Sequence, residues 1–260
     1  MIILLHTSKT MRPPCDGAPG LSQPKLLSEA QQLAGMLQKL TKHDIESMMN
    51  ISPKMAEATQ ELIAQWSVTP SNLRAAIDSF LGDIYSGLQV QSWSESDRIY
   101  ANEHLRILSG LYGILKPLDG IYPYRFEMGY KIPCQSFKTM YEFWGEKIAD
   151  MLPKQEMIIN LTAVEYGKTV TKYVDESRVV TPRFLTVSPK TGEPTFVTVH
   201  AKIARGAFAN WMIRARVEDP KYIINFGDLG YEYYELLSTE LMPTFVCKEF
   251  GGLGLSVRLS

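Results

Sequence analysis

Polar side chains follow two short apolar runs of the chain, Ile2–Leu5 and Met157–Leu161, each of which predicts a buried strand. Since strand ends often line ligand sites in α/β proteins, these side chains are candidates for a cleft. The group offers ammonium, hydroxyl, amide, carboxylate and phenol chemistry, and its members are Lys9, Thr10, Asn160, Glu165, Tyr166 and Lys168. For Asn160, capping and turn hydrogen bonds are an equally simple explanation.

Arg125 and Glu127 form a second candidate pair. They are two residues apart, so they share one face if Tyr124–Met128 is extended. One interpretation is a buried ion pair within the fold. The other is a cleft in which Arg125 holds an anionic group and Glu127 orients it or acts as acid or base. Glu127, Glu165 and Lys9 are the candidates for catalysis, and the catalytic residues stay unknown at this point.

The pair lies in a segment, residues 108–129, that combines many glycines and prolines with apolar side chains. The turn-forming residues are Gly110, Gly113, Pro117, Gly120, Pro123 and Gly129. We expect a buried, tightly turned segment that presents charged side chains at fixed positions. The segment is either a packed connection between helices or a functional surface that contacts a ligand.

A helix–hairpin–helix element is one hypothesis for residues 108–113. A helix that ends at Gly110-Leu-Tyr-Gly113 and then resumes would offer backbone N–H groups to a DNA phosphate without reading a base. Arg106 before the turn and Lys116 after it support phosphate contact. The alternative is a simple helix C-cap.

The same segment resembles the central signature of the YaaA family, bacterial cytoplasmic proteins associated with peroxide stress. Further blocks follow in family order along nearly the whole chain: Lys9-Thr10, Gly82–Leu88, Phe143-Trp-Gly145, Asn160-Leu161, Glu165-Tyr166, Lys168, Ala204-Arg-Gly206 and Gly230-Tyr231. His6-Thr7-Ser8 departs from the pattern, since the family commonly has Ser-Pro-Ala there. The resemblance implies peroxide-stress protection linked to low free iron and to DNA binding.

Charge is distributed unevenly along the 260 residues, whose net charge is only −1. Residues 168–216 hold nine basic and three acidic side chains, whereas residues 217–260 hold three basic and seven acidic ones. The first of these regions could form a positive surface for phosphates, with Lys202 and Arg205 on one helix. Alternatively, contacts with the rest of the chain neutralise it.

Composition excludes several other classes of protein. The four histidines and three cysteines show no metal-ligand spacing, so we expect no metal and no cofactor. No apolar run approaches the ~20 residues of a membrane span, and no secretory leader is recognisable. We therefore expect a cytoplasmic protein with no membrane partner and with reduced thiols.

Periodicity predicts a mixed α and β fold. Helices are expected at 26–40, after Ser52-Pro53, from Ser71, from the Ser94-x-x-Asp97 capping box through Leu108, at 139–151 and at 201–217. Strands are expected at 178–187 and 195–200 as a hairpin, and at 230–237 and 244–250. Strands and helices do not alternate regularly, which argues against a doubly wound sheet. We expect one compact α/β (mixed α+β) domain over residues 1–260, with a mixed sheet surrounded by helices.

Two functions follow from these observations. The first is sequence-independent DNA binding through a basic cleft formed by Lys9, Thr10, Arg106, Gly110, Gly113, Lys116, Arg125, Lys168, Lys202 and Arg205. The DNA could be branched or distorted, and catalysis is not required. The second is an enzyme that acts on a nucleotide or another phosphorylated small molecule in the same cleft. An open groove would favour DNA, whereas an enclosed pocket would favour a small anionic ligand.

Overall fold

The computed structural model describes residues 1–15, 20–66 and 73–252 of the chain. Its helices are α1 (Leu27–Leu37), α2 (Lys42–Met49), α3 (Pro53–Ala64), α4 (Ala76–Ser79), α5 (Asp83–Leu88), α6 (Glu95–His104), α7 (Met140–Trp144), α8 (Lys147–Asp150), α9 (Val164–Thr171) and α10 (Thr198–Arg214). Its strands are β1 (Ile2–His6), β2 (Thr10–Met11), β3 (Arg74–Ala75), β4 (Phe80–Leu81), β5 (Leu105–Ser109), β6 (Gly113–Leu115), β7 (Gly120–Ile121), β8 (Ile158–Asn160), β9 (Val179–Val180), β10 (Arg183–Val187), β11 (Pro194–Thr195), β12 (Tyr231–Tyr233) and β13 (Thr244–Cys247).

The central sheet has five strands in the order β6-β5-β1-β8-β9. β5, β1, β8 and β9 are parallel, and only the edge strand β6 runs antiparallel to its neighbour. All five residues of β1 are buried, as expected of a strand covered on both faces. The parallel arrangement brings the carboxyl ends of β1, β5 and β8 to one edge of the sheet.

A second sheet has four strands in the order β11-β10-β13-β12. Here β10 and β13 are parallel, while β11 and β12 pair antiparallel at the two edges. Both sheets are therefore mixed, and the predicted mixed α/β class is confirmed. The expected hairpin is present as β10 and β11 and is shorter than predicted. No helix within the described residues is long and apolar enough to cross a membrane.

Polar caps fix the starts of several helices where the sequence predicts them. The Ser94 hydroxyl accepts a hydrogen bond from the Asp97 N–H, and the Asp97 carboxylate accepts one from the Ser94 N–H. This reciprocal pair is the predicted capping box, and it starts α6. At the start of α3, the Ser52 hydroxyl accepts a single hydrogen bond from the Met55 N–H, with Pro53 in the first turn. These local signals need no tertiary contact, which explains why the sequence reveals them.

The predicted helix through Leu105 and Leu108 is wrong beyond His104. Residues Leu105–Ser109 instead form β5, whose five residues are all buried between its neighbours β1 and β6. A continuous apolar run has the same composition in a buried parallel strand and in a buried helix, so its periodicity cannot separate the two. Long-range pairing with β1 decides the outcome.

The helix–hairpin–helix hypothesis is wrong for the same reason. Gly110 lies in the connection between β5 and β6, Gly113 is the first residue of β6, and the two strands pair antiparallel as a β-hairpin. The turn is buried: the Tyr112 N–H donates to the Ser109 hydroxyl, and the Gly110 carbonyl accepts from the Trp144 indole. Gly110 also contacts the chain at 126–128, where an added Cβ would lie 2.8 Å from the Phe126 carbonyl oxygen. The two glycines therefore serve packing and do not face a DNA phosphate.

Other boundaries differ from the prediction in smaller ways. The helix expected over 139–151 is interrupted at Gly145 and forms α7 and α8. The strand expected over 195–200 ends at Thr195, because α10 already begins at Thr198. Ser71, the predicted start of a helix, lies outside the described residues, as do residues 253–260 of the glycine-rich tail.

Helices α5 and α10 cross in direct backbone contact. A Cβ placed on Gly206 would lie 1.8 Å from the Ile84 carbonyl oxygen, and one on Gly87 would lie 2.0 Å from the Ile203 carbonyl oxygen. Only glycine permits such an approach, so each helix contributes one glycine to the crossing. The contact fixes the position of Lys202 and Arg205, which lie on α10 within one turn of Gly206.

Replacing Gly206 with Ala tests this crossing. We expect Gly206→Ala to lower the free energy of unfolding by about 1–3 kcal/mol, because the helices must separate to admit the methyl group. Gly35→Ala in α1 is the matched control, since an added Cβ there meets no atom within 4 Å. The control should be neutral or stabilising by up to about 1 kcal/mol. Urea unfolding of both variants measures the difference, and equal stabilities would contradict the close contact.

Candidate functional site

A concave pocket of about 230 Å³ opens at the carboxyl end of β1. We call it the carboxyl-edge pocket. The chain that leaves β1 forms one wall, the start of α5 forms another, and α10 and the segment around Glu127 complete it. Its lining residues are His6, Thr7, Ser8, Lys9, Gly82, Asp83, Ile84, Tyr85, Glu127 and Lys202. In parallel sheets, ligands bind beyond the carboxyl ends of the strands, at the point where the strand order reverses. β1 occupies that point, with β5 on one side and β8 on the other.

Glu127 is the acidic centre of this pocket. Its Oε1 accepts a hydrogen bond of 3.2 Å from the Tyr166 hydroxyl, which in turn accepts one of 3.2 Å from the Thr7 hydroxyl. Its Oε2 lies 3.9 Å from the Lys9 ammonium. The Glu127 side chain is only 15% exposed, whereas that of Lys9 is 54% exposed. The carboxylate is therefore mostly buried, whereas the ammonium that pairs with it is largely exposed to solvent.

The environment of Glu127 raises its pKa above 4.5. Burial is the main cause, and the nearby Glu165 acts in the same direction. Lys9, the Tyr166 hydrogen bond and Arg125 oppose the shift but do not cancel it. A carboxyl group whose pKa moves toward neutrality is suited to exchange a proton with a bound ligand.

Positive charge reaches the pocket from α10. Lys202 lines the pocket, and Arg205 follows on the next turn of the helix. Arg205 is half-buried, and burial lowers its pKa. Neither side chain forms an ion pair within 4 Å among the residues that the structure describes. Both cations lie close enough to lower the pKa of His6. They have no ion-pair partner within the described residues, so a bound anion could pair with them.

His6 connects the pocket to the sheet. Burial, with the charges of Arg205 and Lys202, lowers its pKa to about 3. Its Nδ1 accepts a hydrogen bond of 3.3 Å from the Ala163 N–H, and its ring stacks on Tyr166 with centroids 4.8 Å apart. The Tyr85 hydroxyl donates to the His6 carbonyl oxygen. The segment from Ala163 to Tyr166 therefore orients the His6 ring, and Tyr85 holds its backbone.

Of the two interpretations of Arg125 and Glu127, the ion pair is not formed in the structure. The two residues do lie on one side of an extended segment, since Arg125 and Glu127 are less buried than their neighbours. Within the described residues, however, Arg125 forms no ion pair, and its buried Nε has no hydrogen-bond partner. Lys9, which comes from a distant part of the sequence, pairs with Glu127 instead. This geometry supports the cleft interpretation.

Comparison with known proteins places the sequence in a family. A family model described as "Peroxide stress protein YaaA" matches residues 1–237. The chain belongs to the YaaA family. A UPF0246 protein of Salinispora tropica is 53% identical over 258 residues, which cover 99% of this chain and 98% of that protein. A UPF0246 protein of Clostridium beijerinckii is 37% identical over 228 residues, or 85% and 87% of the two chains. The resemblance found in the sequence is confirmed.

The remaining predicted residues of this YaaA-family chain do not form one cleft with the carboxyl-edge pocket. Arg106 and Lys116 line a different cavity, on the side of the edge strand β6. The Lys168 ammonium lies 4.1 Å from the centroid of the Tyr141 ring, in a third depression. Thr10 is exposed in β2 and does not line the pocket. Glu165 acts on the pocket only through its charge.

Sequence reasoning missed part of the site in this YaaA-family protein. The apolar run Ile2–Leu5 is followed directly by His6, Thr7 and Ser8, and this position at a strand end could have indicated a site. No sequence spacing, however, predicts their proximity to Lys202 or Glu127. Asn160 accepts hydrogen bonds from the Thr162 N–H and hydroxyl, so the turn-bonding explanation holds for it. The described part of the chain contains no group of three or more His, Cys, Asp or Glu residues placed to hold a metal ion.

The raised pKa of Glu127 leads to a pH-dependent prediction. Between pH 4.5 and the raised native pKa, the native state holds a proton that the unfolded chain has lost. The stability of the wild type relative to Glu127→Gln should therefore fall as pH rises through this window and stay constant above it. Glu127→Gln keeps an oxygen acceptor for Tyr166, so it should fold at least as stably as the wild type at neutral pH.

Urea unfolding of both proteins between pH 4 and 8 measures this difference. A difference that does not change with pH would show that Glu127 keeps an ordinary pKa. A large loss of stability in Glu127→Gln at pH 7 would mean that its charge is required by the fold.

Proposed function

We propose that this YaaA-family protein acts in peroxide-stress protection by binding a small phosphate-bearing ligand in the carboxyl-edge pocket. One observation carries the proposal: Lys9 and Lys202 line a concave site together with the carboxylates Glu127 and Asp83, and the charge of Arg205 reaches the same site at His6. Phosphate oxygens accept charge-assisted hydrogen bonds from such cations. The pocket is slightly smaller than the ~300–1,000 Å³ typical of small-molecule sites, which suits a phosphorylated headgroup more than a whole dinucleotide.

Glu127 gives the site a chemical role beyond binding. With its pKa raised, it can accept a proton from a ligand hydroxyl or phosphate, and the Tyr166 hydroxyl keeps its carboxyl group oriented. When Glu127 loses its own proton, its negative charge opposes an anion in the same pocket. Anion affinity should therefore depend on the protonation of this one residue.

Titration calorimetry with inorganic phosphate, ribose 5-phosphate and AMP tests the proposal. Replacing Lys202 and Arg205 with Gln should weaken binding by about tenfold or more, which corresponds to about 1.4 kcal/mol. Arg214→Gln is the matched control, because Arg214 is exposed on the same helix about 18 Å further along. Equal affinity of the double variant and the control would exclude these cations from the site.

Sulfate is the ligand for measuring how anion affinity depends on pH, because it remains a dianion between pH 4 and 8. Its affinity for the wild type should fall as pH rises through the raised pKa of Glu127, since the deprotonated carboxylate repels it. Glu127→Gln should bind sulfate with no such fall. Parallel pH profiles for the two proteins would show that Glu127 does not face the anion.

DNA binding is a second candidate, supported by the exposed cations of residues 168–216. Of the nine basic side chains in this region, only Arg216 forms an ion pair among the described residues, with Asp97. Lys168, Lys172, Lys190 and Arg214 are exposed. Ion pairs with the other described residues therefore do not neutralise the positive excess. Such a surface would hold DNA independently of sequence and could shield it from iron-derived radicals.

A salt titration separates the two candidates. If DNA binds here, duplex, branched and single-stranded forms should all bind more weakly as salt rises. Replacing Lys168 and Lys172 with Gln should then reduce the salt slope for duplex DNA by about 2, whereas ribose 5-phosphate binding stays unchanged. If no form of DNA binds at low salt, this candidate is wrong, and the pocket proposal is unaffected.

A further inference from the structure

A second cavity lies at the opposite end of the central sheet from the carboxyl-edge pocket. It is bounded by the start of β5, by the end of β6 and by the chain at 150–153 that precedes β8. Its volume of about 420 Å³ falls within the ~300–1,000 Å³ of small-molecule sites. We call it the β6-side cavity. None of its lining residues takes part in the carboxyl-edge pocket, so a function here is separate from the one proposed above.

Arg106 is the central polar group of the β6-side cavity. Its side chain is anchored by Nη1, which donates to the carbonyl oxygens of Asn102 and Leu105 at 3.1 and 2.7 Å. The residue is only 9% exposed. Its Nε and Nη2 make no hydrogen bond to any described residue, yet they are not sealed from solvent. The guanidinium therefore presents its remaining donors to the cavity. Burial lowers the pKa of Arg106, although Asp119 and Glu156 act against this shift.

Lys25 and Lys116 add two further cations to the wall. Of the two carboxylates in the wall, Asp150 pairs with the exposed Lys154. Asp119 accepts hydrogen bonds from the Ser22 hydroxyl and the Lys116 N–H, and its charge also acts on Arg106 and Lys116. Within the described residues, neither lysine nor Arg106 forms an ion pair within 4 Å. Three cations therefore share the one charge of Asp119, and the cavity keeps a net positive charge.

The rest of the wall is apolar. Ile114, Leu115 and Leu152 are buried, and Met151, which is 41% exposed, extends the apolar surface toward solvent. A cavity that combines one fixed guanidinium with aliphatic side chains suits a ligand that has both an anionic group and a hydrocarbon group. The guanidinium fork suits the paired oxygens of a carboxylate or a phosphate. The aliphatic wall suits a hydrocarbon body, whose burial is favourable by about 25 cal/mol per Å².

The geometry points to a binding site for an amphipathic organic anion, in which Arg106 receives a carboxylate or phosphate headgroup and the wall formed by Ile114, Leu115 and Leu152 receives an apolar body. Lys25 and Lys116 at the wall add attraction for the headgroup. This assignment does not depend on the carboxyl-edge pocket. Inorganic phosphate alone should occupy the other pocket in preference, because it has no apolar body to bury.

Titration calorimetry with octanoate and octyl phosphate tests the site. Octanol serves as the uncharged control and acetate as the headgroup-only control. We expect both octyl anions to bind at least about tenfold more tightly than octanol or acetate. The relative affinity of the two octyl anions distinguishes a carboxylate from a phosphate ligand. If octanol binds as tightly as the anions, or if neither anion binds, the assignment is wrong.

Substitutions in the wall of the β6-side cavity test whether octanoate binds there. Lys25→Gln combined with Lys116→Gln leaves the apolar core intact and should weaken octanoate binding about tenfold. Met151→Glu should weaken it further, because a carboxylate then faces the anion. Lys54→Gln is the control, since Lys54 is an exposed lysine outside the cavity. Retained octanoate affinity in both wall variants would overturn the proposal, and thermal melts confirm that each variant is folded.

Discussion

The backbone contact between α5 and α10 is the constraint on which the carboxyl-edge pocket depends. Gly87 and Gly206 let the two helices approach until an added methyl group at either position would overlap a carbonyl oxygen. α5 begins at the pocket wall, and α10 places Lys202 in that wall and Arg205 near His6. Without this approach, the two cations would lie farther from His6 and Glu127. Gly87 and Gly206 therefore determine where these charges lie, although neither residue contacts a ligand.

Burial and charge act on Glu127 in opposite directions, and the balance defines the site. Desolvation favours the neutral carboxyl group, whereas Lys9 and the Tyr166 hydroxyl favour the carboxylate. The fold keeps Arg125 near but does not let it pair with Glu127, so that no single strong partner fixes the charge state. Lys9 reaches the carboxylate at 3.9 Å from a largely exposed position. The charge state of Glu127 is therefore sensitive to a bound ligand, and the same pocket contains Lys202, which has no ion-pair partner among the described residues.

The sequence predicts local structure better than it predicts the site. The capping signals at Ser52 and Ser94 and the apolar run of β1 are encoded within a few residues, and the structure confirms them. Leu105–Ser109 is different, because its apolar run fits a helix equally well and only pairing with β1 makes it a strand. The candidate phosphate-binding residues divide among three cavities for a similar reason. Their side-chain types are visible in the sequence, but their proximity depends on strand order and on the crossing of α5 and α10.

The hydrogen bond between His6 and Ala163 determines what the imidazole ring can offer to a ligand. Because Nδ1 accepts from a backbone N–H, it carries no proton, and the neutral ring must carry its proton on Nε2. With a pKa of about 3, the ring is neutral near neutral pH and keeps this single tautomer there. His6 can then donate one hydrogen bond through Nε2, and it does not act as a general acid or base near neutral pH. Proton exchange with a ligand therefore falls to other groups of the pocket, and Glu127 is the one whose raised pKa suits that role.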